Sequence, residues 1–322
     1  MIRIELGSHG LSRIRFAMSP LNSTNDLLFT LGRSPCLLEA PWRARTVEAL
    51  RDRRLGLLAV VAGGGPGGYA PDFPRPEPAA FQPTLDTELH QVATTSPERV
   101  HYELNAAISG HSWGRARSDK PPTLLLAAME RGEASIRACV ADQLEQLWRL
   151  VLAPDWPTIR ARLEGDITAR SVAIARHGLS HTINQLAPNM AWRQGGLDMA
   201  VGTHQIRIEA DSAIFVPSTF VKRAVFVADE RAEVPNPRTP VIAYPVIPTS
   251  RAQLPYLDKL IGSTRTQLLA ELAQPQTTAE LAQRLRLSPA TVSYHLQILH
   301  RAGFLQRTRQ SRNVLYQNLH SA

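Results

Sequence analysis

The order of apolar and polar positions gives the chain two textures. The opening MIRIEL alternates with a period of two and predicts a strand over residues 2–6. Ser19-Pro20 has the form of an N-cap followed by proline at the first helical position, so a helix is expected through about Leu31. Further helices are expected over 41–54, 84–93, 97–108 and 122–131. Two longer ones follow, over 133–153 and 155–177. In the first, Ile136, Val140, Leu144, Leu147 and Val151 recur at helical spacing. Pro154 separates the two, Asp155 is positioned to cap the second, and Trp156 reads as a packing anchor beside its start. From residue 190 the period returns to two, in AWRQ, HQIRIEA, AIFVPS, VKRAVFVA and VIAYPVI. These segments are expected to form a small antiparallel sheet. The fold class is therefore α+β, with helices dominating.

Prolines 235, 237, 240, 245, 248 and 255 exclude long helices and mark a boundary, giving an N-terminal domain over 1–250 and a second over 256–322. In the second, STRTQLLAELA predicts a helix over 263–273 with Ser263 as cap. TTAELAQRLR predicts another over 277–286. There Thr277 and Glu280 have the spacing of a capping box. Ser288 and Pro289 start a third helix, SPATVSYHLQILHRAG, in which Val292, Leu296 and Leu299 form an apolar stripe and Gly303 ends the turn. After Gly303 the pattern alternates around the polar turn RQSRN, which predicts a β-hairpin. Two helices, a turn, a third helix and a basic hairpin follow the order of a winged helix-turn-helix.

Composition sharpens this reading. The 322 residues carry a formal net charge of +8. From residue 263 onward there are seven arginines and two acids, an excess of +5 concentrated in a short segment. That is the electrostatic footprint of a nucleic-acid-binding module. No apolar run approaches the roughly eighteen residues a membrane span needs. No export signal opens the chain, and two cysteines, Cys36 and Cys139, fit a reducing cytoplasm better than a disulfide framework.

A helix that reads DNA buries one face in its own domain and leaves polar side chains outward, toward base edges in the major groove. Ser288, Thr291, Ser293, Tyr294, His295 and Gln297 are the candidate set. Arg307, Arg309 and Arg312, on the hairpin, suit phosphates or the adjacent minor groove. Thr277 has a hydroxyl and an N–H to offer a phosphate.

The segment TTAELAQRLRLSPATVSYHLQILHRAGFLQRTRQSRNVLYQ resembles the ArsR/SmtB family of bacterial repressors. The resemblance lies in S-x-H-L at 293–296, in L-x-x-A-G at 299–303 and in RQSR ahead of V-L-Y. It covers about residues 258–318. RFAMSPL at 15–21 and YAPDF at 69–73 are further similar to large actinobacterial regulators that join an uncharacterised N-terminal domain to such a tail. The resemblance implies a homodimeric repressor on an imperfect palindrome in double-stranded DNA, with an N-terminal domain that dimerises, senses a small-molecule effector or docks a partner. The family's metal sites do not carry over, because no cysteine follows Cys139.

Other constellations are weaker. His295 and His300 are five apart and do not share a helix face. His177 and His181 have i, i+4 spacing, but Gly178 lies between them. The glycine cluster at 63–68 lacks the lysine of a phosphate loop. His101, Glu103, His111 and Asp119 show neither ligand spacing nor a nucleophile partner. No catalytic residue, metal or cofactor is expected. Two alternatives stay open: a ligand-binding or catalytic N-terminal domain with an accessory tail, and an adaptor whose winged helix binds protein.

Overall fold

The computed structural model describes residues 1–7, 10–51, 53–62, 70–108, 123–200, 206–229, 237–246, 261–272, 275–285, 287–310 and 313–318. The chain divides into two compact units, Met1–Val246 and Ile247–Ala322.

The N-terminal unit is an α+β body. Its helices include Pro20–Arg33, Ala40–Arg51, Leu85–Ala93, Pro97–Ile108, Glu133–Leu147 and Trp156–His177. Ser19 caps the first of these, its hydroxyl accepting from the Asn22 N–H at 2.9 Å. After Leu147 the chain continues through a π-helical turn, Trp148–Leu152, and a 3-10 turn, Ala153–Asp155. A proline in the helix interior removes one hydrogen bond, and here Pro154 lies in the reorganised backbone. Trp148 and Trp156 meet edge to face across this bend, with ring centroids 4.8 Å apart. Asp155 stands at the N-cap position but makes no cap bond. Its carboxylate pairs with Arg45 at 2.6 Å instead, which corrects the capping role expected of it.

The strands correct a second expectation. They are β1 (Ile2–Leu6), β2 (Arg15–Phe16), β3 (Met190–Arg193), β4 (Gly196–Met199), β5 (Ile206–Ala210), β6 (Ile214–Ser218), β7 (Val225–Val227) and β8 (Val241–Pro245). They form two mixed four-stranded sheets rather than one small antiparallel sheet. The orders are β3-β4-β1-β5 and β2-β6-β8-β7. β1 inserts between β4 and β5, antiparallel to the first and parallel to the second, with Ile4 opposite Ile208. β6 runs parallel to both β2 and β8. All five residues of β6 are buried, as are Val241–Tyr244 of β8. Strands covered on both faces read as continuous apolar runs, which is what IFVPS and VIAY are.

Two cores result. Leu21, Leu28, Leu58, Val140 and Leu144 belong to the one among the helices, and Ile4, Leu197, Phe215, Ile242 and Tyr244 to the one on the sheets. The proline-rich segment after Ala70 crosses the buried polar face of helix Pro20–Arg33. Asn25 and Asn22 donate to the carbonyls of Pro74 and Pro76 at 2.9 and 3.0 Å, and Arg75 pairs with Asp26 at 2.5 Å. No helix among the described residues is long and apolar enough to cross a membrane.

The C-terminal unit contains helices Ser263–Glu271, Thr278–Leu285 and Pro289–Arg301 and strands β9 (Gln276–Thr277), β10 (Leu305–Gln310) and β11 (Asn313–Asn318). Gly262, with φ of 86°, takes the N-cap place expected of Ser263, and Ser263 is the first helical residue. The three-stranded sheet has the order β10-β11-β9. Its core is Leu268, Leu269, Leu272, Leu281, Ala282, Val292, Leu296, Leu299, Leu305 and Tyr316.

Candidate nucleic-acid interface

The second and third helices of the C-terminal unit are locked by local bonds that the sequence specifies. Thr277 and Glu280 close a capping box. The Thr277 N–H and hydroxyl donate to the Glu280 carboxylate at 2.7 and 2.8 Å, and the Glu280 N–H donates back to the Thr277 hydroxyl at 3.3 Å. These bonds, the backbone one first, hold the Glu280 carboxyl below its usual pKa. Both donors that Thr277 was expected to offer a phosphate are therefore already engaged. A phosphate reaches them only if this carboxylate swings away.

The turn closes with the Leu287 N–H on the Ala282 carbonyl at 3.0 Å. Ser288 caps the third helix, accepting from the Thr291 N–H at 3.1 Å, and its hydroxyl lies 2.8 Å from that of Thr291. A serine or threonine cap contributes about 1 kcal/mol to its helix. At the far end the Gly303 and Phe304 N–H groups bond the carbonyls of His300 and Leu299 at 3.1 and 3.0 Å, with Gly303 at φ of 79°. This is a Schellman stop, and the positive φ is why glycine stands there.

Val292, Leu296 and Leu299 are buried. A residue turns about 100° around an α-helix, so the direction opposite this stripe is reached at positions 290, 294, 297 and 301. Ala290, Tyr294, Gln297 and Arg301 are all exposed, and Tyr294 projects with 60% of its surface free. Thr291, Ser293 and His295, also expected to point outward, are half-buried on the flanks. The His295 Nδ1 is enclosed without a hydrogen-bond partner. Burial, helped by the nearby Arg265 charge, lowers its imidazole pKa. Its ring meets Tyr294 edge to face at 5.2 Å. Arg301 was missed as an interface residue. Rotation from the buried stripe finds it, whereas polarity alone does not.

The hairpin pairs Arg307 with Tyr316 and Arg309 with Val314. Leu305, Arg307 and Arg309 alternate onto one face of β10. Leu305 and Tyr316 are buried at its base, while Arg307 and Arg309 are exposed beyond the core. Arg312 lies outside the described residues. β9 adds a third strand to the hairpin, with Thr277 opposite Leu315. The capping threonine and the wing are thus tied together.

In the N-terminal unit His101 and Glu103 each have a partner of their own. His101 is exposed and pairs with Glu133 at 2.8 Å. Glu103 is buried, accepting from Arg99 at 2.7 Å and from the Phe73 N–H at 2.6 Å. His111 and Asp119 lie outside the described residues. The rings of His177 and His181 are 5.3 Å apart, and His181 bonds Gln185. A cavity of about 610 Å³ opens past the carboxyl ends of β1 and β5, lined by Glu5, Gln194, Glu209, Asp211 and Arg238 among others.

No curated protein and no solved structure matches the chain. One family model does, described as a helix-turn-helix domain, over residues 262–308. The match spans the three helices and the start of β10. The C-terminal unit thus carries the features of a helix-turn-helix domain, which supports a DNA-binding regulator of transcription.

Proposed function

We propose that the protein is a cytoplasmic transcriptional repressor of ArsR type that acts as a homodimer on an imperfect palindrome. The observation that carries this reading is the third helix. Its apolar stripe is sunk in the domain core, and its opposite stripe presents Tyr294, Gln297 and Arg301. Gln suits the adenine N6/N7 edge and Arg the guanine O6/N7 edge. Arg307 and Arg309 extend the wing toward flanking phosphates, where each neutralised phosphate makes affinity salt-dependent. Its role is binding, with no chemistry assigned to the N-terminal unit.

A small-molecule effector would enter the N-terminal cavity, whose volume lies within the range of small-molecule sites. The reading is tested by selecting duplexes from a random library with the full chain and footprinting the winners. Two half-sites spaced by about one helical turn are expected of a dimer. A single protected half-site would overturn the homodimer, and recovery of no sequence would overturn the regulator.

A further inference from the structure

The six positions of the third helix expected to face DNA do not share one environment. Tyr294 has 60% of its surface free, and Gln297 is exposed. His295 is half-buried, its Nδ1 is shut away from solvent without a partner, and its ring stands edge-on to Tyr294 at 5.2 Å. From the first helix, Arg265 faces it, with an equally enclosed and unpartnered Nε. A group that reads bases needs its donors and acceptors free toward the groove. One ring nitrogen of His295 fails that requirement. What the ring does have is a neighbour, the Tyr294 ring, which it meets edge to face.

We propose that His295 is a positioning residue, which holds the Tyr294 ring in place, and that Tyr294, Gln297 and Arg301 form the face that reads the duplex. This inference rests on the DNA-binding reading and divides its labour. Tyr294 offers an apolar ring edge to a thymine methyl and a hydroxyl to a neighbouring polar edge. Gln297 and Arg301 follow on the same side of the helix, one and two turns on. Fixing a ring before binding removes an ordering cost from the complex. Loss of the His295 ring should therefore be felt only where Tyr294 is present.

The test is a double-mutant cycle on the full chain. The probes are the duplex selected by the wild type and a scrambled duplex of equal length. The readout is the affinity ratio between them. Tyr294→Ala should lower that ratio tenfold or more. His295→Ala should lower it severalfold, His295→Phe should retain it, and Tyr294→Ala/His295→Ala should be no worse than Tyr294→Ala alone. Arg301→Ala should lower it as well. Losses that add in the double variant, or a His295→Phe chain as impaired as His295→Ala, would overturn the positioning role. An unchanged ratio in Arg301→Ala would remove that residue from the reading face. Unfolding midpoints are measured alongside. If His295→Ala does not fold, the His295→Phe result decides. A wild type that selects no duplex overturns the DNA-binding reading and this inference with it, whereas a selected duplex with additive losses overturns the inference alone.

Discussion

Among the described residues, the N-terminal unit buries Asp26, Glu88, Arg99, Glu103 and Arg170, whereas the C-terminal unit buries no charged side chain and Thr266 alone among polar ones. The two units are stabilised by different means. The C-terminal unit is a small apolar core, and its hairpin arginines Arg307 and Arg309 stand exposed, where they can meet phosphate. The N-terminal unit threads ion pairs through its interior, such as Arg99 with Glu103 at 2.7 Å and with Asp229 at 2.6 Å. Removing a charge from water is costly unless partners replace it, so burial of this kind makes stability depend on protonation. Burial pushes Glu88 up to about 7, although the Ser19 hydroxyl and the Leu21 N–H both donate to it. Burial does the same to Asp72, helped by the nearby Glu103 charge, again to about 7.

The sharpest way to break the comparison is in the apolar core. Leu296→Ala is expected to cost the C-terminal unit about 2–5 kcal/mol, as for other buried leucines. Hydrogen exchange should show the loss in helices Ser263–Glu271, Thr278–Leu285 and Pro289–Arg301, and duplex binding should fall with it. Equal deprotection across the N-terminal helices would contradict the division into two units.

The next effect belongs to the other unit and has the opposite chemistry. A carboxyl whose pKa is raised by folding holds its proton longer in the folded state. Stability then falls as pH rises from the ordinary value of 4.5 to about 7, and the cost is complete above that. For Glu88 this amounts to roughly 3 kcal/mol at the usual 1.4 kcal/mol per pKa unit. Denaturant midpoints at pH 5 and pH 8 should show it, and Glu88→Gln should reduce the difference, leaving the share that belongs to Asp72. Midpoints that rise with pH in this window would argue against a destabilising buried carboxylate.

Smaller effects belong to the surface of the C-terminal unit. Arg307→Ala and Arg309→Ala should each weaken binding to selected and scrambled duplexes alike. Each should also reduce the slope of log affinity against log salt by about 1. A changed sequence preference with an unchanged slope would mean that the wing reads bases rather than phosphates. The smallest effect is expected at the capping box. Glu280 has a lowered pKa, so the stability it supplies is present above 4.5 and fades as pH falls below it. Glu280→Ala should remove that acid-side dependence from the unfolding of helix Thr278–Leu285, and the dependence should persist if the cap is idle.

The C-terminal unit was the more legible from sequence because its determinants are local. The Thr277–Glu280 cap, the Ser288-Pro289 start and the Gly303 stop each act over a few residues, and they stand in the structure where the spacing placed them. The hairpin was legible for the same reason, since β10 and β11 follow closely in sequence and pair from Gln310 opposite Asn313. The sheets of the N-terminal unit are the converse. Ile2 pairs with Ile206, and no local pattern announces a partner some two hundred residues away. The short β9 has no period to detect and is a strand only because β11 lies beside it. At the interface itself, polarity picked the candidates and rotation around the helix sorts them. Thr291, Ser293 and His295 are polar but lie on the flanks, while Arg301 faces away from the core as squarely as Tyr294 does.

The most direct test of the central claim is the affinity of the full chain for duplex DNA as salt is varied, on a duplex chosen from a random library and on a scrambled control. A DNA-reading third helix with a basic wing predicts selection of a defined sequence, with affinity that falls steeply with salt and lies well above that for the control. Equal, weak and salt-insensitive binding to both duplexes would contradict it.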